Sequence, residues 1–425
     1  MAPTTSMAPR IVPLRSVPLI DDPVDSVVEG LPPGRRVTVR AGSTDANGRQ
    51  FSSWAEYEIG ERGVVNLGEQ PPVTGSYSGA DPFGLWWSME HAKTDRQFIV
   101  GLEPVPTTLA AEIDGAVVAA VSFERRRLAE GVTVQPLRDR GLEGMLFSPP
   151  GGPAPGVLVL GGSAGGFHWS QETAALLASH GFAALALAYF GGPGLPFSLA
   201  HIPVEYFGSA LAWLCRHDGV SSAGIGVIGA SRGGELALLV GATHPEVNAV
   251  VSLSGSGVLW GGIRVDRPDP VAAWTWEGSV LPHLDLDRPR LIEAREQSPI
   301  GLTEVFLDAM TDSRSLEDAT VAVERIRGPV LLISGERDAT CPATELSQIA
   351  LDRLVARGHP FPDQHLRYAD AGHLTDPPGL PLDSLLQRNP WDRRLYALGG
   401  FSAANAAARA DLWPRVLAFL REHTA

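Results

Sequence analysis

Cysteine and lysine are nearly absent from this 425-residue chain. Its two cysteines, Cys215 and Cys341, are far too few for a disulfide framework, which favours a reducing cytoplasm. Cys215 falls in a helical pattern, where we expect it to be buried. Lys93 is the only lysine, so almost all positive charge is arginine, a bias typical of a GC-rich bacterial gene.

Long apolar stretches and an excess of positive charge are also missing. The longest strongly apolar runs, residues 156–162 and 182–190, reach at most about half of the ~18 residues that a membrane helix needs. The first ten residues lack the charged start and apolar core of a secretory signal. The net charge of −14 argues against nucleic acid or an anionic membrane as partner, because both attract clustered positive charge. We therefore expect a cytoplasmic protein that takes a small-molecule substrate, without nucleic-acid binding or membrane insertion. The oligomeric state stays open.

The sequence contains no signature of a metal or nucleotide site. There is no His-Glu-x-x-His, no Cys-x-x-Cys, and no P-loop lysine, since the sole lysine lies in a β-rich region. We expect neither a metal nor a cofactor.

The length of the chain suits two domains, and its periodicity changes near residue 134. Residues 36–41 and 52–59 alternate apolar with polar side chains, and Asn47-Gly48 between them suits the positive φ of a hairpin turn. Further strand-like runs cover residues 64–67, 97–102 and 116–123. We interpret residues 1–125 as a β-sandwich domain whose first 18 or so residues are extended.

Residues 126–425 have the pattern of a mostly parallel α/β sheet. Short apolar runs alternate with helical patterns, as expected of strands buried on both faces. The runs are 157–160, 182–188, 225–229, 249–253, 330–333 and, less cleanly, 366–369. Residues 257–320 interrupt this rhythm with Pro, Asp and three tryptophans (Trp260, Trp274, Trp276), and we interpret them as an insertion that covers the site. The tryptophans suit either a shelter for an apolar substrate or ordinary core.

The candidate nucleophile is Ser231. The apolar strand ending at Gly229 runs into Gly-Ala-Ser-Arg-Gly, and a helical pattern follows, as in the nucleophile elbow of an α/β-hydrolase fold. Glycines on both sides allow a turn so sharp that the serine projects from the top of the sheet. A hydroxyl at a helix N-terminus also faces N–H groups that favour developing negative charge. A tight structural turn is the alternative interpretation.

A second Gly-x-Ser-x-Gly sequence surrounds Ser163 and also follows an apolar strand. This strand is the first of the core, where the fold places the loop that supplies an oxyanion donor. We assign the backbone N–H of Ser163 or Ala164 to the oxyanion hole, together with that of Arg232. Ser163 as the nucleophile remains the alternative.

A serine hydroxyl needs an adjacent base that a carboxylate holds in the right tautomer, and in this fold both lie downstream. His373 lies just past the carboxyl edge of a strand, where catalytic loops project, so we select it as the base. Asp338 and Glu336 both follow the strand ending at Ile333, and we favour Asp338 as the acid. Cys341 lies three residues after Asp338, and we expect it to pack in the interior and to have no catalytic role.

Several longer stretches are similar to the acyl-CoA thioester hydrolase and bile acid-CoA:amino acid N-acyltransferase family over nearly the full length. They are residues 30–34, 37–41, 81–89, 162–166, 181–190, 225–236, 335–338, 371–378, 404–406 and 411–413. The resemblance implies an immunoglobulin-like N-terminal domain, an α/β-hydrolase domain and acyl-CoA substrates, so that CoA enters as part of the substrate. It places the nucleophile, acid and base on Ser231, Asp338 and His373.

Under the same resemblance, a serine at residue 231 favours hydrolysis over transfer without excluding transfer. The family's nucleophile is serine in many thioesterases and cysteine in the aminoacyl transferase branch. Three readings stay open beside thioester hydrolysis: transfer to an amine or alcohol, hydrolysis of esters or lactones, and a binding protein without catalysis. Arg232 and Arg337 flank the predicted site, where they could contact CoA phosphates or lie on the solvated surface.

Overall fold

The computed structural model describes residues 8–15, 18–24, 26–93, 98–99, 101–264, 269–382 and 385–424. The chain forms two compact units, each described on its own. The first comprises Met1–Arg127, Pro377–Leu385 and Asn405–Ala410; the second comprises Leu128–Asp376, Leu386–Ala404 and Asp411–Ala425.

The first unit is built from antiparallel sheets. Its elements are β1 Arg10–Pro13, β2 Ser26–Glu29, β3 Arg36–Thr44, β4 Gln50–Glu58, β5 Val65–Asn66, β6 Thr74–Gly75, the short helix α1 Gly84–Trp87, β7 Val105–Ile113 and β8 Ala116–Arg125. The strand orders are β1-β2-β5 and β6-β4-β3-β7-β8. These elements confirm the predicted β-rich region, whereas the immunoglobulin-like assignment stays a prediction.

The predicted hairpin joins β3 to β4. Thr44 pairs with Gln50, and Gly48 in the turn has φ +74°, a conformation that glycine adopts without strain. The sequence interpretation missed β7, whose Thr and Ala residues alternate between buried and exposed positions but are weakly apolar. The strand predicted at 97–102 is wrong for its described residues, because 98–99 and 101–102 lie in irregular structure before β7; residues 97 and 100 lie outside the described part.

The second unit contains a large mixed sheet. Its strands are β9 Thr133–Asp139, β10 Leu142–Ser148, β11 Ala154–Leu160, β12 Ala183–Ala188, β14 Val220–Ala230, β15 Val247–Leu253, β18 Val330–Gly335 and β19 Gln364–Tyr368. They are ordered β19-β18-β15-β14-β11-β12-β10-β9. Strand β10 is antiparallel to both of its neighbours, β12 and β9, and all other neighbouring pairs are parallel. The six predicted α/β strands are confirmed, while β9 and β10 were not predicted.

Helices and short strands complete this unit. They are α2 Ser170–Ser179, β13 Ile202–Pro203, α3 Glu205–Arg216, α4 Arg232–Thr243, β16 Trp274–Trp276, β17 Ser279–Val280, α5 Arg288–Arg295, α6 Thr303–Ala309, α7 Ser313–Ala319, α8 Ala343–Ala356, β20 Leu386–Arg388, β21 Leu395–Ala397 and α9 Ser402–Thr424. Of α9, the stretch Asn405–Ala410 is assigned to the first unit and the remainder to the second. Residues 265–268 of the predicted insertion fall outside the described part. Among the helices described, none is long and apolar enough to cross a membrane.

The order of the strands decides where a site can form. The chain leaves β11 for β12 on one side, then crosses to β14 on the other side of β11. Loops that follow β11 and β14 therefore diverge and leave a crevice at the carboxyl edge of the sheet, the usual binding position in open α/β sheets.

The predicted burial of Cys215 is wrong. Cys215 does lie in α3, but it is exposed to solvent. The face of α3 that packs against the core consists instead of Phe207, Ala210, Leu211 and Leu214.

Candidate active site

Ser231 stands alone between β14 and α4, in a conformation that few side chains adopt. Its φ of 56° and ψ of −121° are strained for a residue with a Cβ atom. Three hydrogen bonds hold it there: its N–H donates to Leu253 O at 2.8 Å, and its carbonyl accepts from Gly234 N at 2.9 Å and Glu235 N at 3.2 Å. Strain of this kind persists only where the surrounding structure enforces it, as in a nucleophile elbow.

The glycines of the elbow are sterically required. A Cβ atom on Gly229 would lie 1.9 Å from Gly233 O, and one on Gly233 would lie 2.2 Å from Leu160 O. No side chain fits at such separations, so the backbone segments of the turn meet only because both residues are glycine.

The loop after β11 approaches the elbow closely. A Cβ atom built on Gly162 would lie 3.2 Å from the Cβ of Ser231. Ser163, Ala164 and Arg232 line the same cavity as Ser231. Within the described part of the chain, the backbone N–H groups of Ser163, Ala164 and Arg232 have no hydrogen-bond acceptor. Ser163 itself has no positive φ, and the next helix, α2, begins only at Ser170.

His373 and Asp338 form a buried pair. His373 Nδ1 lies 2.6 Å from Asp338 Oδ2, and the exposed fractions of the two side chains are 4% and 2%. The other carboxylate oxygen, Oδ1, accepts the N–H groups of Thr340 at 2.8 Å and Cys341 at 3.2 Å. These bonds fix the carboxylate, which in turn fixes the imidazole ring.

The alternative carboxylate and another histidine have different partners. Glu336 forms a half-exposed ion pair with Arg367 at 2.8 Å, so its carboxylate does not take the place of Asp338. His359 pairs with Asp363 at 2.6 Å, yet these residues precede β19, whereas His373 follows it. The two histidine–carboxylate pairs therefore lie at opposite ends of that strand.

Ser254 ties the histidine loop to the sheet. This fully buried residue follows β15 directly, and its N–H donates to Ile333 O at 2.7 Å. Its hydroxyl accepts the N–H of Leu374 at 2.8 Å and donates to the carbonyl of Leu374 at 3.1 Å. The side chain of Ser254 thus holds the backbone of Leu374, the neighbour of His373. No local sequence pattern indicates this contact.

A cavity of 340 Å³ opens beside Ser231. Apolar side chains from the insertion contribute to its walls, among them Trp260, Leu291, Leu302 and Phe306. Trp274, by contrast, packs against Tyr189 and Phe207 in the core. The three tryptophans therefore divide between the two interpretations: Trp260 lines the cavity, whereas Trp274 lies in the core and Trp276 packs against it.

A buried carboxylate near Ser231 escaped the sequence interpretation. Glu235, in the first turn of α4, is fully buried, and its Oε1 accepts the indole N–H of Trp274 at 2.7 Å. Its Oε2 lies 3.3 Å from Arg232 Nη1, and Arg232 Nη2 also donates to Trp260 O at 2.9 Å. Burial raises the pKa of Glu235, and Arg232 opposes that shift. The sequence did contain one indication that Glu235 is buried, because this glutamate lies inside an otherwise apolar helical pattern.

Cys341 and Arg337 also have definite surroundings. Cys341 lines the cavity, and burial together with the charge of Asp338 raises the pKa of its thiol well above the ordinary value. Arg337 pairs with Asp370 at 2.6 Å and lies over the ring of Phe401. The guanidinium of Arg337 is therefore engaged by Asp370 and Phe401, and Arg337 does not line the cavity beside Ser231.

One group among the described residues has the composition of a metal site. Asp338, Cys341 and His373 bring ligand atoms within 4.8 Å of one another. The 2.6 Å between Nδ1 and Oδ2 is the length of a hydrogen bond. Two ligands of one tetrahedral zinc ion, at bonds of about 2.1 Å, would stand roughly 3.4 Å apart. The donor set as it stands therefore fits a hydrogen-bonded pair better than a metal ion.

Both parts of the chain match one protein family. Residues 202–425 match the description "BAAT / Acyl-CoA thioester hydrolase C terminal", and residues 21–139 match "Acyl-CoA thioester hydrolase/BAAT N-terminal region". Among solved structures, a putative dienelactone hydrolase from Klebsiella pneumoniae is 17% identical, with a TM-score of 0.41, covering 68% of this chain and 98% of its own.

Curated relatives are similar over almost the whole length. A mouse peroxisomal succinyl-coenzyme A thioesterase is 31% identical over 95% of this chain and 94% of its own. Human acyl-coenzyme A thioesterase 1 is 31% identical over the same shares, 95% and 94%. Mouse acyl-coenzyme A amino acid N-acyltransferase 1 is 31% identical over 97% of each chain. The resemblance inferred from the motifs is confirmed, and the chain belongs to the acyl-CoA thioester hydrolase/BAAT family.

Proposed function

We propose that the protein hydrolyses acyl-CoA thioesters with Ser231 as nucleophile, His373 as general base and Asp338 as orienting acid. One observation carries the proposal: the hydrogen bond of 2.6 Å between His373 and Asp338 lies at the sheet edge where Ser231 occupies an elbow conformation. With Nδ1 engaged by the carboxylate, Nε2 is the ring nitrogen left for the serine proton.

The reaction proceeds in two halves. Ser231 Oγ attacks the thioester carbonyl carbon while His373 takes its proton, and the resulting oxyanion accepts N–H groups of Arg232 and of Ser163 or Ala164. The carbon–sulfur bond then breaks, and the thiolate leaves with the proton from His373. Water attacks the acyl-serine ester, again losing its proton to His373, and the free acid departs as Ser231 recovers its hydrogen.

The unpaired N–H groups around the elbow support this assignment. Each oxyanion donor of this type contributes about 2.7 to 4 kcal/mol to lowering the barrier. Their lack of an internal acceptor, among the residues described, leaves them free for a substrate oxygen. The names of the relatives, which are acyl-CoA thioesterases and N-acyltransferases, support acyl-CoA as the substrate class.

Mass spectrometry of the acylated protein tests the proposal. After brief exposure to a panel of acyl-CoA thioesters and acid quenching, we expect the acyl mass on the peptide that contains Ser231. Ser231→Ala should abolish both this mass and thioester hydrolysis. Acylation of the peptide that contains Ser163, or hydrolysis at the wild-type rate by Ser231→Ala, would contradict it.

Acyl transfer is the second candidate, because an N-acyltransferase is among the relatives at 31% identity. Incubation with acyl-CoA and candidate amines or alcohols, followed by quantification of free acid against amide or ester, separates the two activities. Serine at residue 231 favours hydrolysis, so free acid should dominate. Matched thioesters and oxygen esters in the same assay test the ester-hydrolase alternative.

A further inference from the structure

Four arginines surround a pocket next to the catalytic cavity. The pocket is lined by arginine side chains from the end of α5 and from the β20–β21 hairpin, together with Glu296, Gln297, Ser298 and Leu395. The arginines are Arg295, Arg388, Arg393 and Arg394. Four cations and one carboxylate form a strongly positive patch in a chain whose net charge is −14.

These guanidinium groups are not neutralised by the protein. Among the residues described, no carboxylate lies within ion-pair distance of any of the four. Arg388 Nη1 donates to Arg393 O at 2.5 Å, and Arg394 Nη1 donates to Arg295 O at 2.7 Å. Bonds to carbonyl groups orient the side chains but leave their charge available to a ligand.

The hairpin connects this pocket to the site of Ser231. Gln387 and Tyr396 form a cross-strand pair that lines the catalytic cavity. The next pair, Arg388 and Leu395, lines the arginine pocket, as the alternation of side chains along strands requires. Arg295 lines both spaces, so the two are adjacent.

The hairpin is held firmly in place. Its turn is closed by Asn389, whose side chain accepts the N–H groups of Trp391 at 2.8 Å and Asp392 at 3.2 Å. Ile300 pairs with β21, donating to Leu395 O and accepting from Ala397 N, both at 2.8 Å. A site on such a support is organised before the ligand arrives.

We propose that this arginine pocket binds the phosphate groups of the CoA nucleotide. This proposal rests on the proposed function. A bound acyl-CoA then has its thioester at Ser231 and its phosphorylated adenosine end at Arg388, Arg393 and Arg394. CoA carries a diphosphate and a 3′-phosphate, and guanidinium groups bind phosphate oxygens through paired, charge-assisted hydrogen bonds. The pocket therefore selects the thiol carrier, while the apolar walls of the cavity receive the acyl group.

The test compares two thioesters of one acyl group, an acyl-CoA and the N-acetylcysteamine thioester that lacks phosphate. In Arg393→Gln/Arg394→Gln we expect kcat/KM for acyl-CoA to fall about tenfold or more, mainly through KM, because phosphate contacts are lost. Turnover of the N-acetylcysteamine thioester should stay unchanged. Adenosine 3′,5′-bisphosphate should inhibit the wild type competitively and the variant much more weakly.

A second hairpin provides the matched control. Arg138→Gln/Arg140→Gln removes two exposed arginines from the β9–β10 hairpin, one near the end of β9 and one in the turn, and Arg140 has φ 48°, close to the 60° of Arg393. This control should leave both substrates unaffected. Equal loss in the control, equal loss with both thioesters, or no effect on acyl-CoA would overturn the proposal.

Failure of the proposed function gives a different result. Wild-type protein would then hydrolyse neither thioester and carry no acyl group on Ser231. Calorimetric titration with adenosine 3′,5′-bisphosphate still tests the pocket in that case, with binding expected for wild type and control. Absence of binding to the wild type would refute the phosphate site whatever the activity, and a carrier-protein thioester cleaved in preference to acyl-CoA would also count against it.

Discussion

The hydroxyl of Ser254 provides a sensitive test of how the histidine is positioned. Ser254 has φ 44°, a conformation that glycine adopts more readily than serine. Ser254→Gly therefore removes the hydroxyl without adding backbone strain. It leaves the buried N–H of Leu374, now bonded at 2.8 Å, without its acceptor.

The magnitude follows mainly from that lost acceptor, because the second bond, from the hydroxyl to the carbonyl of Leu374, is longer at 3.1 Å. A buried donor left unsatisfied costs about 1 to 3 kcal/mol, so the free energy of unfolding should fall by this amount. Leu374 adjoins His373, and misplacing a catalytic group by ~1 Å can cost about 100-fold in rate. We expect kcat to fall about 10- to 100-fold and KM to change little.

Steady-state kinetics across pH and urea unfolding measure the two effects. Ser254→Asn should recover much of the lost kcat, because asparagine tolerates positive φ and offers both a donor and an acceptor. Ser254→Ala should be the least stable variant, since it loses the hydroxyl and keeps the strain. A kcat for Ser254→Gly within twofold of wild type would refute the positioning role.

Three further predictions concern the elbow, the acid and pH. Gly229→Ala should lower the free energy of unfolding by about 3 kcal/mol or more in urea, because its Cβ would lie 1.9 Å from a carbonyl oxygen, whereas Gly60→Ala, with open space around it, should be nearly neutral. Asp338→Asn should reduce kcat by about 10⁴-fold by favouring the wrong histidine tautomer, while Glu336→Gln should retain most activity; the reverse order would identify Glu336 as the acid. Burial lowers the pKa of His365 to about 4, so its neutral form stabilises the fold above pH 6.5, and this contribution is lost as the pH falls towards 4. His365→Gln should therefore reduce the stability difference between pH 7 and pH 4.5 by about 1 kcal/mol after allowance for partial exposure; an unchanged difference would contradict the assignment.

The sequence by itself determined the α/β core, the elbow and the choice of His373. Apolar runs predicted the buried strands, and glycines around Ser231 predicted a turn that only glycine permits. Since the carboxyl ends of parallel strands meet at one edge, residues just past strand ends could be selected without coordinates. The weakly apolar β7 and the antiparallel strands β9 and β10 escaped this reasoning because their patterns are faint.

Only the tertiary structure decided which loop side chains meet. Asp338 and Glu336 lie two residues apart after the same strand, and pairing with His373 or with Arg367 depends on side-chain direction, which periodicity does not describe. The partners of Glu235, the hydroxyl of Ser254 and the arginines of the β20–β21 hairpin likewise acquire their surroundings from segments distant in sequence. Burial and pairing of polar groups depend on those long-range contacts, whereas strands and turns follow from local backbone preferences.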